Sequence, residues 1–238
     1  MFARVASGQA PAGAMPVVCV HGIGVSGRYF APLLEALAPT HPAFAPDLPG
    51  SGRSDGPARA LTIDELADVL AAWMTARGLA RAALLGNSFG CQVIAAFALR
   101  HPARLAAAVL AGPTGDPAER SPLRLLARLA LDGLREPPSE VLIAVRDYWR
   151  FGVRRGIATA RMMVDDDMTA KLPLMTAPTL VVRGERDAIV TPAWAETVAA
   201  LLPRSELVTI PGAAHAVNYD APAALAAAVN RFLASVPR

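Results

Sequence analysis

Lysine is nearly absent from this chain. Lys171 is the one lysine, and the other 22 of its 23 basic residues are arginines. Cysteine is equally scarce, with only Cys19 and Cys91. Both lie in apolar stretches and read as small buried hydrophobes, which excludes a disulfide framework and fits a reducing compartment. The 4 histidines form no H-x-x-x-H pair and no Cys/His cluster, so no metal and no cofactor are expected. No apolar run approaches the roughly 18–20 residues needed to span a bilayer. The opening MFARVASGQAPAGAMP has no continuous apolar core, so no signal peptide is expected and the location expected is cytoplasmic.

What is abundant is apolar: 53% of the 238 residues are hydrophobic and 18% are charged. That composition builds a core and excludes wholesale disorder. Short apolar runs alternate with longer helical patterns. Strands are expected at 15–20, 43–47, 82–85, 105–111, 179–182 and 206–210. Helices are expected at 61–77, 91–100, 192–202 and 221–236, with a Thr62/Glu65 capping-box spacing opening the first. Between 113 and 175 the strand rhythm stops, and helical patterns appear near 121–135, 139–151 and 157–170. Strand–helix alternation predicts an α/β fold with a mostly parallel sheet covered by helices on both faces. The core is then 1–112 with 176–238, and 113–175 forms a helical lid.

In such sheets the chemistry sits at the carboxyl ends of strands. Three strand ends carry suitable residues. Gly86-Asn87-Ser88-Phe89-Gly90 is a G-x-S-x-G, Asp187 follows the strand ending near 182, and His215 follows the one ending at 210. A serine hydroxyl needs a neighbouring base to become a nucleophile. His215 can take its proton and return it to a leaving group. Asp187 would hold the imidazole in the right tautomer; Glu185 and the 165–167 aspartates are rival carboxylates. The glycines flanking Ser88 free a sharp strand-to-helix turn from side-chain collisions. The Phe89 N–H, at the helix N-terminus, and the Ile23 N–H in His21-Gly22-Ile23-Gly24 are the expected oxyanion donors.

With these residues in view, the chain resembles the α/β-hydrolase-fold serine hydrolases. The resemblance rests on HGIG at 21–24, DLPGSGRSDG at 47–56, GNSFG at 86–90, RGERDAIV at 183–190 and PGAAHAVNYDAP at 211–222. It implies acyl transfer through an acyl-enzyme, with ester hydrolysis leading. The Gly-Asn-Ser elbow is also similar to that of hydrolases cleaving carbon–carbon bonds in ring-fission diketo acids. Those proteins carry tryptophan just after the histidine, where this chain has Ala216. An acyltransferase and a lid-switching ligand receptor are further alternatives. A serine nucleophile disfavours dehalogenase and epoxide hydrolase chemistry. Only about 15 residues precede the HG strand, so the family's opening hairpin must be short or partly missing.

The lid holds an aromatic and methionine-rich group. Trp149, Met162 and Met163 are its pocket candidates, set against simple packing onto the body. Residues 118–162 hold nine arginines against five acids, a net of +4, whereas the remainder carries −1. These charges interleave along helices and read as solvated faces, not as a nucleic-acid footprint. The partner expected is a small-molecule substrate, with no nucleic acid and no membrane. A lid arginine turned inward would suit a substrate with an anionic group.

Overall fold

The computed structural model describes residues 1–8, 10–119, 128, 131–132 and 135–236. The apolar runs become the strands β1 (Ala3–Val5), β2 (Val17–Val20), β3 (Ala43–Pro46), β4 (Ala82–Asn87), β5 (Leu105–Ala111), β6 (Thr179–Gly184) and β7 (Ser205–Ile210). They form one sheet in the order β1-β3-β2-β4-β5-β6-β7. Only β1 is antiparallel; every other pairing is parallel. Strands β2, β4, β5 and β6 are buried along their whole length. This is why they read as unbroken apolar runs and not as alternating ones.

The main helices are α1 (Ala31–Leu37), α2 (Ile63–Ala76), α3 (Phe89–Arg100), α4 (Pro138–Phe151), α5 (Val153–Asp165), α6 (Pro192–Leu201) and α7 (Pro222–Ser235). On one face of the sheet, Leu70, Ile94 and Val198 bring α2, α3 and α6 into a shared core. On the other, Leu33 and Val229 do the same for α1 and α7. The fold class expected from the sequence is therefore the observed one.

Local signals are realised closely. Thr62 Oγ1 accepts from the Glu65 N–H at 3.2 Å, while Glu65 Oε2 accepts from the Thr62 N–H at 2.8 Å. Such a capping box satisfies backbone N–H groups that the start of a helix otherwise leaves without partners. At the start of the chain the three-residue β1 pairs antiparallel with β3, at the edge of the sheet, and no strand joins β2 in a hairpin among the described residues. Two elements had no sequence signal strong enough to be expected: β1 itself and the short helix α1.

The inserted segment is helical, with no strand among its described residues. The pattern expected at 121–135 lies mostly outside the described residues. The pattern at 157–170 is split into α5 and a single turn at Met168–Lys171. Gly152, at φ 83°, ends α4 and lets α5 begin at once. Buried Gln92 of α3 ties α5 to the body: its Nε2 donates to the Met163 carbonyl at 2.9 Å and its Oε1 accepts from Thr114 at 3.1 Å. Ser26 Oγ donates to Asp147 Oδ2 at 2.5 Å and fastens α4.

Candidate active site

Strand β4 ends at Asn87 and α3 starts at Phe89, so Ser88 carries the whole change of direction. Its φ of 57° and ψ of −123° make it the one non-glycine residue with positive φ among those described. That conformation costs on the order of 1–3 kcal/mol and persists only where its surroundings impose it. The flanking glycines are part of the imposition. A Cβ on Gly90 would sit 2.1 Å from the Val20 carbonyl oxygen, and one on Gly86 would sit 2.6 Å from the Gly90 backbone.

Asp187 follows β6 in a loop shaped by buried Arg183, whose guanidinium donates to the carbonyls of Val190, Glu185 and Asp187 at 2.7, 3.2 and 3.1 Å. Asp187 Oδ1 accepts from the Ile189 and Val190 N–H groups, both at 2.8 Å. Its Oδ2 lies 2.8 Å from His215 Nδ1. Burial works to raise this carboxyl, but the His215 charge and hydrogen bond and the two N–H donors hold it below the ordinary aspartate range. The rival Glu185 is occupied elsewhere, accepting from the Gly212 N–H at 2.7 Å. His215 is buried, and its Nε2 has no partner among the described residues. Ser88 and His215 line the same cavity, and no hydrogen bond joins them in this state. Such contacts are often open until substrate arrives.

Asn87 does more than fill a motif position. Its Oδ1 accepts from Tyr29 Oη at 2.8 Å, and its Nδ2 donates to the carbonyls of Ala111 and His215 at 3.2 and 3.0 Å. Tyr29 Oη in turn accepts from the Gly22 N–H at 3.1 Å. One amide thus joins the elbow, the His215 loop and the HGIG loop. His21 fastens that last loop from the other side. Its Nε2 accepts from the Leu48 N–H at 2.9 Å, which leaves Nδ1 to donate to the Gly22 carbonyl at 2.8 Å. Burial keeps His21 neutral by pushing its pKa down. Asp47 braces the neighbouring loop, accepting from the Gly27 and Arg53 N–H groups at 2.8 Å each. Cys91 is buried with its Sγ against the Gly86 and Ala111 carbonyls, a packing role.

The cavity has a volume of about 910 Å³, within the range of small-molecule sites. Ile23 lies on its wall, and Trp149 lies at its rim, still 88% exposed. Met162 and Met163 do not line it. Met163 is on the body-facing side of α5 and is absorbed into the core with Met168 and Val93. The charges of the inserted segment also invert the expected pattern. Among the described residues no arginine lines the cavity, whereas Asp132, Glu136 and Glu140 do. Arg135 instead donates to the Arg186 carbonyl at 2.7 Å, and Arg155 to the Pro57 carbonyl at 2.7 Å.

The three carboxyls stand beside His215. Glu136 Oε1 accepts from the Ala216 N–H at 2.7 Å. Burial, aided by neighbouring Asp132 and Glu140, pushes Glu136 up to about 8 despite that N–H. Burial and then Asp132 push Glu140 up to about 7. Burial also raises Asp132. Burial would lower His215, but the charge and hydrogen bond of Asp187, with Asp132 and Glu136, lift it to about 9. Sequence reasoning counted these acids as solvated. Asp132 and Glu140 lie on either side of the turn at 135–137 that carries Glu136, so no helical spacing in the sequence announced that the three meet.

A parallel sheet with a strained serine at a strand-to-helix elbow and an Asp–His pair on later strand ends defines an α/β hydrolase. The chain belongs to the alpha/beta hydrolase family, whose model matches residues 17–228. It is similar to the polyketide synthase ThaQ of Burkholderia thailandensis, at 32% identity over 91% of this chain but only 12% of that much longer protein. It is 29% identical to the pimeloyl-[acyl-carrier protein] methyl ester esterase of Xanthomonas oryzae pv. oryzae, over 93% of this chain and 96% of that one. The 2-hydroxymuconate semialdehyde hydrolase of Pseudomonas sp. is 28% identical over 92% of this chain and 87% of its own length. Among solved structures, a thermophilic esterase from Thermogutta terrifontis superposes with a TM-score of 0.81 at 25% identity, covering 98% of this chain and 92% of that one. The chain is thus a hydrolase enzyme. Among the described residues no helix is long and apolar enough to cross a membrane.

Proposed function

We propose that this enzyme cleaves a small carboxylic ester through an acyl-enzyme, with Ser88 as nucleophile, His215 as general base and acid, and Asp187 as the residue that orients it. The observation that carries this reading is the 2.8 Å Asp187–His215 pair. With Nδ1 donating to the carboxylate, Nε2 is left as an acceptor in the cavity that Ser88 lines. Attack by Ser88 Oγ on the ester carbonyl passes its proton to Nε2. Collapse of the tetrahedral intermediate expels the alcohol, which takes that proton, and water then repeats the sequence on the acyl-enzyme.

The oxyanion is assigned to the N–H groups of Phe89 and Ile23. Phe89 opens α3, where backbone donors lack intrahelical partners. The Ile23 assignment is supported by the His21 contact. In a trans peptide the Gly22 carbonyl and the Ile23 N–H point in opposite directions. Because His21 holds that carbonyl, the N–H is turned away from His21, and Ile23 lies on the cavity wall. The 113–175 segment acts as the lid. Ester cleavage is favoured over carbon–carbon cleavage of anionic diketo acids because carboxyls, and no arginine among the described residues, line the cavity.

A fluorophosphonate probe is expected to label the enzyme on the peptide containing Ser88, as read by mass spectrometry. Labelling on a different serine would remove this assignment. The pH profile offers a second check. His215 must be neutral to accept a proton, and Asp187, Asp132, Glu136 and Glu140 all face it, so kcat/KM should rise with pH through a limb near 9. Glu136→Gln keeps an acceptor for the Ala216 N–H but removes a charge, so the limb should move to lower pH. An unshifted limb near the ordinary histidine value of about 6.5 in both proteins would contradict the electrostatics.

A further inference from the structure

We propose that the cavity selects esters whose alcohol portion carries an ammonium group, and that Glu136 and Glu140 recognise that group. This rests on the serine-hydrolase reading and adds a substrate class to it. Glu136 and Glu140 are each only 8% exposed, yet both line the cavity. Glu136 spends one oxygen on the Ala216 N–H, while Oε2 is buried with no partner among the described residues. The Glu140 carboxyl has no hydrogen bond among the described residues either. Among the described residues, the one basic side chain on the wall is His215, which is engaged by Asp187. Buried carboxyls without a counter-charge are costly, and among the described residues their arrangement leaves the counter-charge to whatever enters the cavity.

Three further observations narrow the occupant. The rings of Tyr148 and Trp149 share the wall with the carboxyls, and aromatic faces attract alkylammonium groups. No group of three acidic, histidine or cysteine side chains among the described residues is placed to hold a metal ion, which directs the reading to an organic cation. The position relative to the chemistry then picks the alcohol side. Glu136 binds the N–H of the residue directly after His215. His215 returns its proton to the leaving oxygen, so the departing alcohol lies beside His215 and the carboxyls. A carboxylate or sulfonate there would face three acids. An ammonium supplies the charge that the raised Glu136 and Glu140 lack.

The test has a kinetic and a binding arm, both at pH 8.5. Butyrate esters of choline, of its neutral isostere 3,3-dimethylbutanol and of 3-hydroxypropanesulfonate are compared by released butyrate. The choline ester should exceed the neutral one in kcat/KM by about tenfold, and the sulfonate should fall below both. In Glu136→Gln and Glu140→Gln, with folding checked by circular dichroism, the choline-to-neutral ratio should drop towards one. In the second arm, butyltrimethylammonium should bind the wild-type protein saturably by calorimetry, about tenfold more weakly in either variant, whereas butanesulfonate should not bind. A choline-to-neutral ratio of one or less, or no binding of the cation, overturns the proposal. If that happens while fluorophosphonate still labels Ser88, the ester reading stands alone. If Ser88 is unlabelled and no ester is cleaved but the cation binds through Glu136 and Glu140, the cation site stands and the ester reading falls.

Discussion

Ser88→Ala is expected to lower kcat on any ester substrate by about 10⁶-fold, with KM little changed, as measured by steady-state kinetics against a purified wild-type control. The size follows from the role. Removing Oγ removes the covalent route entirely, so what survives is water attack assisted by the oxyanion donors and by binding, about 10³–10⁴ over the uncatalysed rate. The substitution should leave the fold intact. Ser88 caps α3 without a side-chain hydrogen bond, so no cap is lost. Its φ of 57° is imposed by the backbone of the elbow and not by the hydroxyl. Alanine inherits the same strain and adds none. A well-folded variant keeping more than about a hundredth of the wild-type rate would move the nucleophile elsewhere.

The elbow was legible because its chemistry is local. A left-handed serine between two close-packed glycines needs G-x-S-x-G over five residues, and the structure realises it there. Asp187 and His215 were legible for a related reason, since each stands just past a strand that shows as an apolar run. The work of Asn87 was not legible, because it is non-local. Its amide reaches Tyr29, 58 positions earlier, and the His215 carbonyl, 128 positions later. No periodicity encodes such a contact. The lid was misread for a different physical reason. Interleaved charge on an amphipathic helix ordinarily means a solvated face. Here the arginines reach outward to the carbonyls of rim loops while Glu136 and Glu140 turn into the cavity. Apolar Leu142 and Val153 are left 71% and 79% exposed in exchange. Composition could count those charges but had no means of saying which side of α4 meets the body.

Asp187→Asn is expected to cost about 10⁴-fold in kcat on the high-pH plateau, and the hydrogen bonds explain why so small a change does so much. The carboxylate is pinned by Oδ1, which accepts from the Ile189 and Val190 N–H groups. An asparagine satisfies the same two donors only with its carbonyl oxygen in that place, which puts the amide NH₂ where Oδ2 now faces His215 Nδ1. A donor there forces Nδ1 to become the acceptor and moves the ring proton to Nε2. The imidazole then offers Ser88 a hydrogen where it needs a lone pair, and general-base catalysis stops although every atom is nearly in place. The variant also loses the Asp187 charge that does most to lift His215, so its pH limb should move down, and kcat is compared on the high-pH plateaus, where both proteins hold His215 neutral. If the tautomer is decisive, kcat falls by the full factor and thermal stability stays close to wild type. A loss of only about tenfold would mean that the neighbouring carboxyls can hold His215 by charge alone, and Asp187 would no longer be the residue that orients it.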